Sequence, residues 1–245
     1  MTALYDTIGV DYTNLRKPDP RIAAQVDAAL GNAQTVLNVG AGAGSYEPTS
    51  RQVTALEPSA EMIAQRPEGT APVLQGSAEE LPFDDNSFDA VTAILTVHHW
   101  SDQAKGLAEM RRVARDRVIM LTFDPAFRDI WQLEYWPGLA ALDDAAMPPM
   151  EFYEQQLGEV RFEPVVIPHD CSDGFLYAYW RRPRAYLDPR IRKGSSSFWK
   201  LDDADEGARR LEADLASGAW TQRNAALLNA ESADMGYRLV IADLG

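Results

Sequence analysis

Thr35-Val36-Leu37-Asn38-Val39-Gly40-Ala41-Gly42-Ala43-Gly44-Ser45 runs from a short β-prone stretch straight into a glycine cluster. Gly40, Gly42 and Gly44 let the backbone take positive φ there and pass close to a ligand. A second β-prone stretch, Val53 to Leu56, ends in Glu57-Pro58, 17 residues beyond Gly40. A carboxylate at that place in an open α/β sheet can accept both hydroxyls of a ribose. A tight turn with no ligand uses the same glycines. A GxGxxG dehydrogenase pattern would want Gly where Ser45 stands, so the turn by itself leaves the nucleotide open.

Outward from this stretch the chain alternates. Arg21 to Leu30 reads as an amphipathic helix stopped by Gly31-Asn32. Ser59 can cap a helix that runs towards Arg66 and stops at Pro67. Val73-Leu74-Gln75 is a third strand, and Phe88 to Leu95 is apolar enough for a strand buried on both faces. Ser101 is expected to cap a helix carrying Ala104, Leu107, Ala108 and Val113 on one side, before a fifth strand at Arg117 to Phe123. That order predicts βαβ units and a parallel sheet. Further on, Glu151 to Leu157 reads as helix, and Phe162 to Ile167 and Tyr237 to Ala242 as strands. The 68 residues from His169 to Gly236 exceed what a crossover needs, so part of them is expected to form a cover.

Composition sets the outer limits. A chain of 245 residues with 46% hydrophobic content supports one full core. It has no apolar run of about 18 residues, so no transmembrane helix is expected. The start, Met1 to Asp6, lacks the basic and apolar pattern of a signal peptide, and the lone Cys171 offers no disulfide or CxxC metal frame. The expectation is a soluble, cytoplasmic protein with no membrane partner. A net charge of -14 argues against nucleic acid. The basic stretch from Arg181 to Lys193 is expected to be a solvated face.

The stretch Gly76-Ser77-Ala78-Glu79-Glu80-Leu81-Pro82-Phe83-Asp84-Asp85-Asn86-Ser87-Phe88-Asp89 narrows the reading. With NVGAGAGSYEP, ALEPS and LTVHHW in order around it, the chain resembles a class I S-adenosylmethionine-dependent methyltransferase of the ubiquinone/menaquinone type, the methyltransferase type 11 group. The resemblance implies a Rossmann-like α/β sheet, mostly parallel, of seven strands with an antiparallel last strand and helical lid insertions. It implies a single domain over 1–245, with a helical cover at 1–30, a cofactor-binding core at 35–124, and substrate-side insertions at 125–153 and 168–235. The implied cofactor is S-adenosylmethionine, leaving as S-adenosylhomocysteine. Gly40, Ala41 and Gly42 would meet its methionine part, Glu57 its ribose, and Pro58 and Met62 its adenine face. Ser77, Ala78 and Glu79 would frame the adenine edge, with Leu95, Thr96 and Val97 under the sulfonium. Tyr12 and Arg16 would reach its carboxylate end. One departure stands out: relatives usually carry an acid where this chain has Asn38, which keeps only the acceptor oxygen.

His98 and His99 sit at the mouth of the sheet, where a neutral imidazole could serve as base or position the substrate. In a strand, adjacent residues point apart, so at most one of the two is expected to face the methyl donor. The pair is a poor metal site, and no metal is expected. Of the 23 aromatic residues, 14 fall in 125–153 and 168–235, where an even spread would give about nine. A flat substrate could stack there, with Tyr5, Trp131, Tyr135, Trp136, Phe175, Tyr179 and Trp180 as candidates. A buried core would show the same enrichment. The expected function is methyl transfer to N or O of a small planar metabolite of secondary metabolism, by a monomer or homodimer. The alternatives are C-methylation of a quinone-type ring and a cofactor-binding regulator without turnover.

Overall fold

The computed structural model describes residues 15–244. Helix α1 (Pro20–Ala29) starts at Asp19, whose side chain accepts from the Arg21 N–H, and buries Ile22 and Val26. Strand β1 (Thr35–Val39) leads into the glycine turn, and β2 (Gln52–Glu57) follows. Helix α2 (Ala60–Ala64) is capped by Ser59 through the Met62 N–H, as the sequence predicts. After β3 (Val73–Gln75) comes β4 (Phe88–Ile94). Helix α3 (Gln103–Val113) then runs into β5 (Ala114–Phe123). The cap of α3 is Asp102, not Ser101: Asp102 accepts from Lys105 N–H, while Ser101 donates to Glu79. Three helices, α4 (Gln132–Tyr135), α5 (Gly138–Ala146) and α6 (Met150–Leu157), precede β6 (Val160–Pro168). The long connection holds α7 (Pro189–Lys193), α8 (Ala204–Ser217) and α9 (Ala219–Arg223), before β7 (Ser232–Asp243).

The strands form one seven-stranded sheet in the order β3-β2-β1-β4-β5-β7-β6. Pairing is parallel from β3 to β5, and β7 lies antiparallel between β5 and β6. This is the sheet predicted from the sequence. Pro164, which cannot donate to a ladder, sits in the edge strand β6 next to a register shift, where its missing N–H is tolerated. Alternation along β5 feeds both faces. Val118 and Met120 join Leu37, Leu107 and Tyr153 on one side, while Ile119, Leu121 and Phe123 join Ile22 and Val26 on the other.

The aromatic residues of the two insertions belong mostly to that second core. Trp131, Tyr135, Trp136 and Trp180 are buried, so their expected role as a substrate surface is corrected. The physical reason is that each polar edge finds an internal partner, which frees the rings for burial. Trp131 donates to the Trp180 carbonyl, Trp136 to that of Ala204, and Trp180 to that of Ile167; the Tyr135 hydroxyl donates to Asp214. Gly207 in α8 lies so close to the Trp136 indole that a Cβ would collide with it. Tyr179 is half-buried under the Arg182 guanidinium.

The basic stretch is a solvated face only in part: Arg184, Arg190 and Lys193 are exposed, whereas the other three cations turn inward. Arg192 is buried and donates to the Tyr186 carbonyl and to Asp205 (2.5 Å for the latter). Arg181 and Arg182 donate to backbone carbonyls, and Arg190 pairs with Asp188. In the described part of the expected N-terminal cover, α1 packs against β5 and β6, and only Arg16 reaches the cleft described below. Tyr5 and Tyr12 lie outside the described residues.

Candidate active site

A cleft of about 340 Å³ opens where β1, β2 and β4 end. The turn after β1 forms its floor. Gly40 has φ +68, and a Cβ there would run into the Thr96 side chain, so only glycine fits. The Gly40 and Ala41 N–H groups both donate to the Leu56 carbonyl, at 2.8 and 3.1 Å, which ties the turn to β2. Glu57 closes the other side. One of its oxygens accepts from Gly42 N–H at 2.8 Å and the other from Ser59 N–H at 2.9 Å. Glu57 is only 5% exposed, yet it lines the cleft.

Pro58, Met62, Ser77, Ala78, Glu79, Thr96 and Arg16 also line the cleft. Burial pushes the Glu79 carboxyl up, but hydrogen bonds from Ser101 and Asp102 outweigh it and hold the group below the usual carboxylate range. Asn38 is 4% exposed and works within a polar cluster, accepting from Thr92 and donating to Glu47. Glu47 in turn pairs with buried Arg66 at 2.8 Å, and Arg66 also donates to the Gly42 carbonyl. A carboxylate therefore stands beside Asn38, but its charge is matched by a guanidinium.

Arg16 is held by Asp173 at 2.5 Å, with the Tyr46 hydroxyl donating to the same carboxylate. A β-bridge between Arg16 and Asp173 fixes the two backbones as well. Tyr46 and Trp100 line the cleft, and the sequence reading missed both. Their signal was proximity alone: Tyr46 is two residues past Gly44, and Trp100 follows the histidines.

The chain leaves β4 through Leu95, a non-glycine residue at φ +52, and enters a 3-10 turn at Val97–His99. One expectation changes here. Val97 is 1% exposed and packs in the core with Leu37 and Leu107 rather than lining the cleft, because the left-handed step at Leu95 turns it under the sheet. The histidines stand in the 3-10 turn, where strand alternation no longer applies. Their rings lie 3.9 Å apart, with His99 in the cleft and His98 in a second cavity. Burial pulls His99 down to about 4, helped by Lys200 and Arg16. Burial, then the neighbouring His99, Arg16 and Lys200, hold His98 well below the ordinary histidine value. Both imidazoles are neutral near pH 7.

The second cavity, of about 50 Å³, shares Arg16 and Leu95 with the cleft. His98 and Phe175 line it too, so it brings four sequence candidates together. Trp131, Tyr135, Trp136, Tyr179 and Trp180 line neither cavity. Among the described residues, no group of three His, Cys, Asp or Glu could hold a metal ion, and no helix is long and apolar enough to cross a membrane.

A seven-stranded sheet of this order, with a glycine turn and an acid at the ends of its first two strands, defines a nucleotide-binding α/β protein. Comparison with known proteins gives the particular family. The family model "Methyltransferase domain" matches residues 37–122. A solved Anabaena variabilis protein, named for a methyltransferase from an antibiotic biosynthesis pathway, is 34% identical. It covers 93% of this chain and 98% of its own, with a TM-score of 0.84. The ubiquinone/menaquinone biosynthesis C-methyltransferase UbiE of Citrifermentans bemidjiense is 31% identical over 124 residues, 45% of this chain and 51% of that protein. The chain thus spans about half the length of this curated relative. A Thermotoga maritima S-adenosylmethionine-dependent methyltransferase shares the fold, with a TM-score of 0.53 at 14% identity. The chain belongs to the class I S-adenosylmethionine-dependent methyltransferases. The family's methyl donor is S-adenosylmethionine, and its product is S-adenosylhomocysteine.

Proposed function

We propose that the protein moves a methyl group from S-adenosylmethionine to nitrogen or oxygen of a small, planar aromatic or heteroaromatic metabolite. The observation that carries this reading is the pair of adjoining cavities. A cleft sized for a nucleotide-bearing donor meets a chamber walled by Phe123, Phe175, Tyr177 and Tyr237 across Arg16 and Leu95. Aromatic walls suit one end of a flat acceptor, and His98 and Asp143 in the same chamber suit a heteroatom on it.

The donor supplies an activated methyl group on a sulfonium. What remains for the chain is to bind, orient and exclude water. The residues fit that donor. Gly40 has no room for a side chain, so backbone can approach the methionine part. Glu57 lines the cleft where the ribose hydroxyls would meet its carboxylate, and Pro58 and Met62 give the adenine an apolar wall. Ser77, Ala78 and Glu79 frame the adenine edge. Thr96 lies at the floor, and Arg16 stands where a carboxylate could share its guanidinium with Asp173. A role in secondary metabolism has support in the name of the Anabaena protein.

The test uses donor labelled with carbon-13 in its methyl group, offered with a panel of phenols, amines, azoles and quinols. Carbon-13 NMR separates N-, O- and C-methyl products. N- or O-methyl product supports the reading. A C-methylated quinol would replace it with the alternative that the partial likeness to UbiE favours. Tight S-adenosylhomocysteine binding without turnover on any acceptor would point to a regulator.

A further inference from the structure

We infer that the smaller chamber is the acceptor subsite and that Asp143 selects an acceptor bearing an N–H donor, an amine or an N–H azole. The inference rests on the methyl-transfer reading above and deepens it. Asp143 lies on α5 and is 3% exposed, yet it lines the chamber. Its carboxylate takes one side-chain hydrogen bond among the described residues, from the Tyr177 hydroxyl at 2.7 Å. Tyr177 is neutral, so no cation matches the charge of Asp143 inside the chamber. Arg16, which also lines the chamber, is already held by Asp173. Arg128 faces Asp143 only at long range and is paired with Asp144 at 2.5 Å.

A buried carboxylate without a matching cation is costly unless a donor completes its hydrogen bonding. An N–H group on the acceptor is the donor that the chamber can admit. The aromatic rings of Phe123, Tyr177 and Tyr237 favour the same choice, since their faces attract a polarised or cationic nitrogen. The free acid is pushed up to about 6 by burial, as expected for a carboxylate lacking a cationic partner. A cavity of about 50 Å³ has room for only a few heavy atoms. It therefore holds the N–H end of the acceptor, which meets the cleft across Arg16 and Leu95.

The sequence could not supply this residue. Asp143 is one acid in the run Leu142-Asp143-Asp144, with no motif around it.

The experiment measures binding, independently of turnover. Benzylamine and imidazole, with phenol and benzoate as comparators, are titrated by NMR and calorimetry into the whole protein saturated with S-adenosylhomocysteine. Benzylamine or imidazole should bind more tightly than phenol and benzoate. Asp143→Asn should weaken that binding by about tenfold or more, since a charge-assisted hydrogen bond is lost. Tyr177→Phe, which keeps the ring, should weaken it by less than Asp143→Asn. Affinity for S-adenosylhomocysteine should be unchanged in both variants.

Tighter binding of phenol or benzoate to the wild-type protein overturns the inference, as does equal amine binding in a folded Asp143→Asn. Absence of binding by all four probes overturns it too. Wild-type selectivity decides the matter alone if Asp143→Asn does not fold. Failure of S-adenosylhomocysteine to bind the wild-type protein would instead sink the methyl-transfer reading itself.

Discussion

Glu57 serves the fold and the cleft with the same two oxygens. It joins the turn after β1 to the start of α2 through Gly42 and Ser59, and it faces the cleft. Glu57→Ala should therefore lose about 2–4 kcal/mol of S-adenosylhomocysteine affinity, with charged hydrogen bonds worth about 1.5–3 each and not additive. Calorimetry on the folded variant checks this, and unchanged affinity would remove Glu57 from the site. The histidines pose a different question at the same scale. The sulfonium is already a strong electrophile, so we expect proximity to carry the rate. His98→Ala and His99→Ala should then each lower turnover by less than about tenfold. A loss of about 10²–10⁴-fold in one of them, with donor affinity intact, would assign that histidine as a general base.

Elements differ in how far the sequence could foretell them. The strand-turn-strand from Thr35 to Glu57 was legible because glycines and a terminal acid are local signals, and the same holds for Gly76 to Asp89. The aromatic insertions were not, because rings that wall a pocket and rings that fill a core have the same composition. Their difference lies in where the indole N–H groups end, and those partners, such as the Ala204 carbonyl, are remote in sequence. Val97 departs from the place the resemblance implies because the chain turns at Leu95, whose left-handed backbone has no side-chain signature. Trp136 now belongs to a packing argument. It fills the space between α4 and α8, so Trp136→Ala should cost about 3–5 kcal/mol of stability. Urea unfolding measures this, and donor affinity per folded molecule should not change. A raised substrate KM with normal stability would return Trp136 to the site. At its own end, α3 should lose about 1 kcal/mol in Asp102→Ala, a cap loss that the same unfolding assay resolves.

Acidification tests the molecule as a whole. Unfolded histidine titrates near 6.5, whereas His99 in the folded protein does so at about 4. Between those values the unfolded chain binds more protons, so stability falls as pH drops. His98 acts in the same direction. Asp143 opposes them: its folded value of about 6 lies above the unfolded 3.8, so its contribution rises as pH drops and is lost as pH climbs through 6. Urea midpoints at pH 7 and 4.5 separate the two. The acid-induced loss should shrink in His99→Asn and grow in Asp143→Asn, and identical profiles in all three proteins would contradict the assignment.

The position of β7 has a consequence for how the chain is made. Between it and its two neighbours in the sheet, β5 and β6, lie 108 and 63 intervening residues. While the chain emerges, β6 has no partner and β5 has one open edge, and neither can be satisfied until residues 232–243 arrive. Non-local pairing of this kind is slow, and unpaired edges recruit other chains. Nascent or truncated forms that lack this segment should consequently depend on chaperones and self-associate, whereas the N-terminal strands β1 to β4 can already be paired.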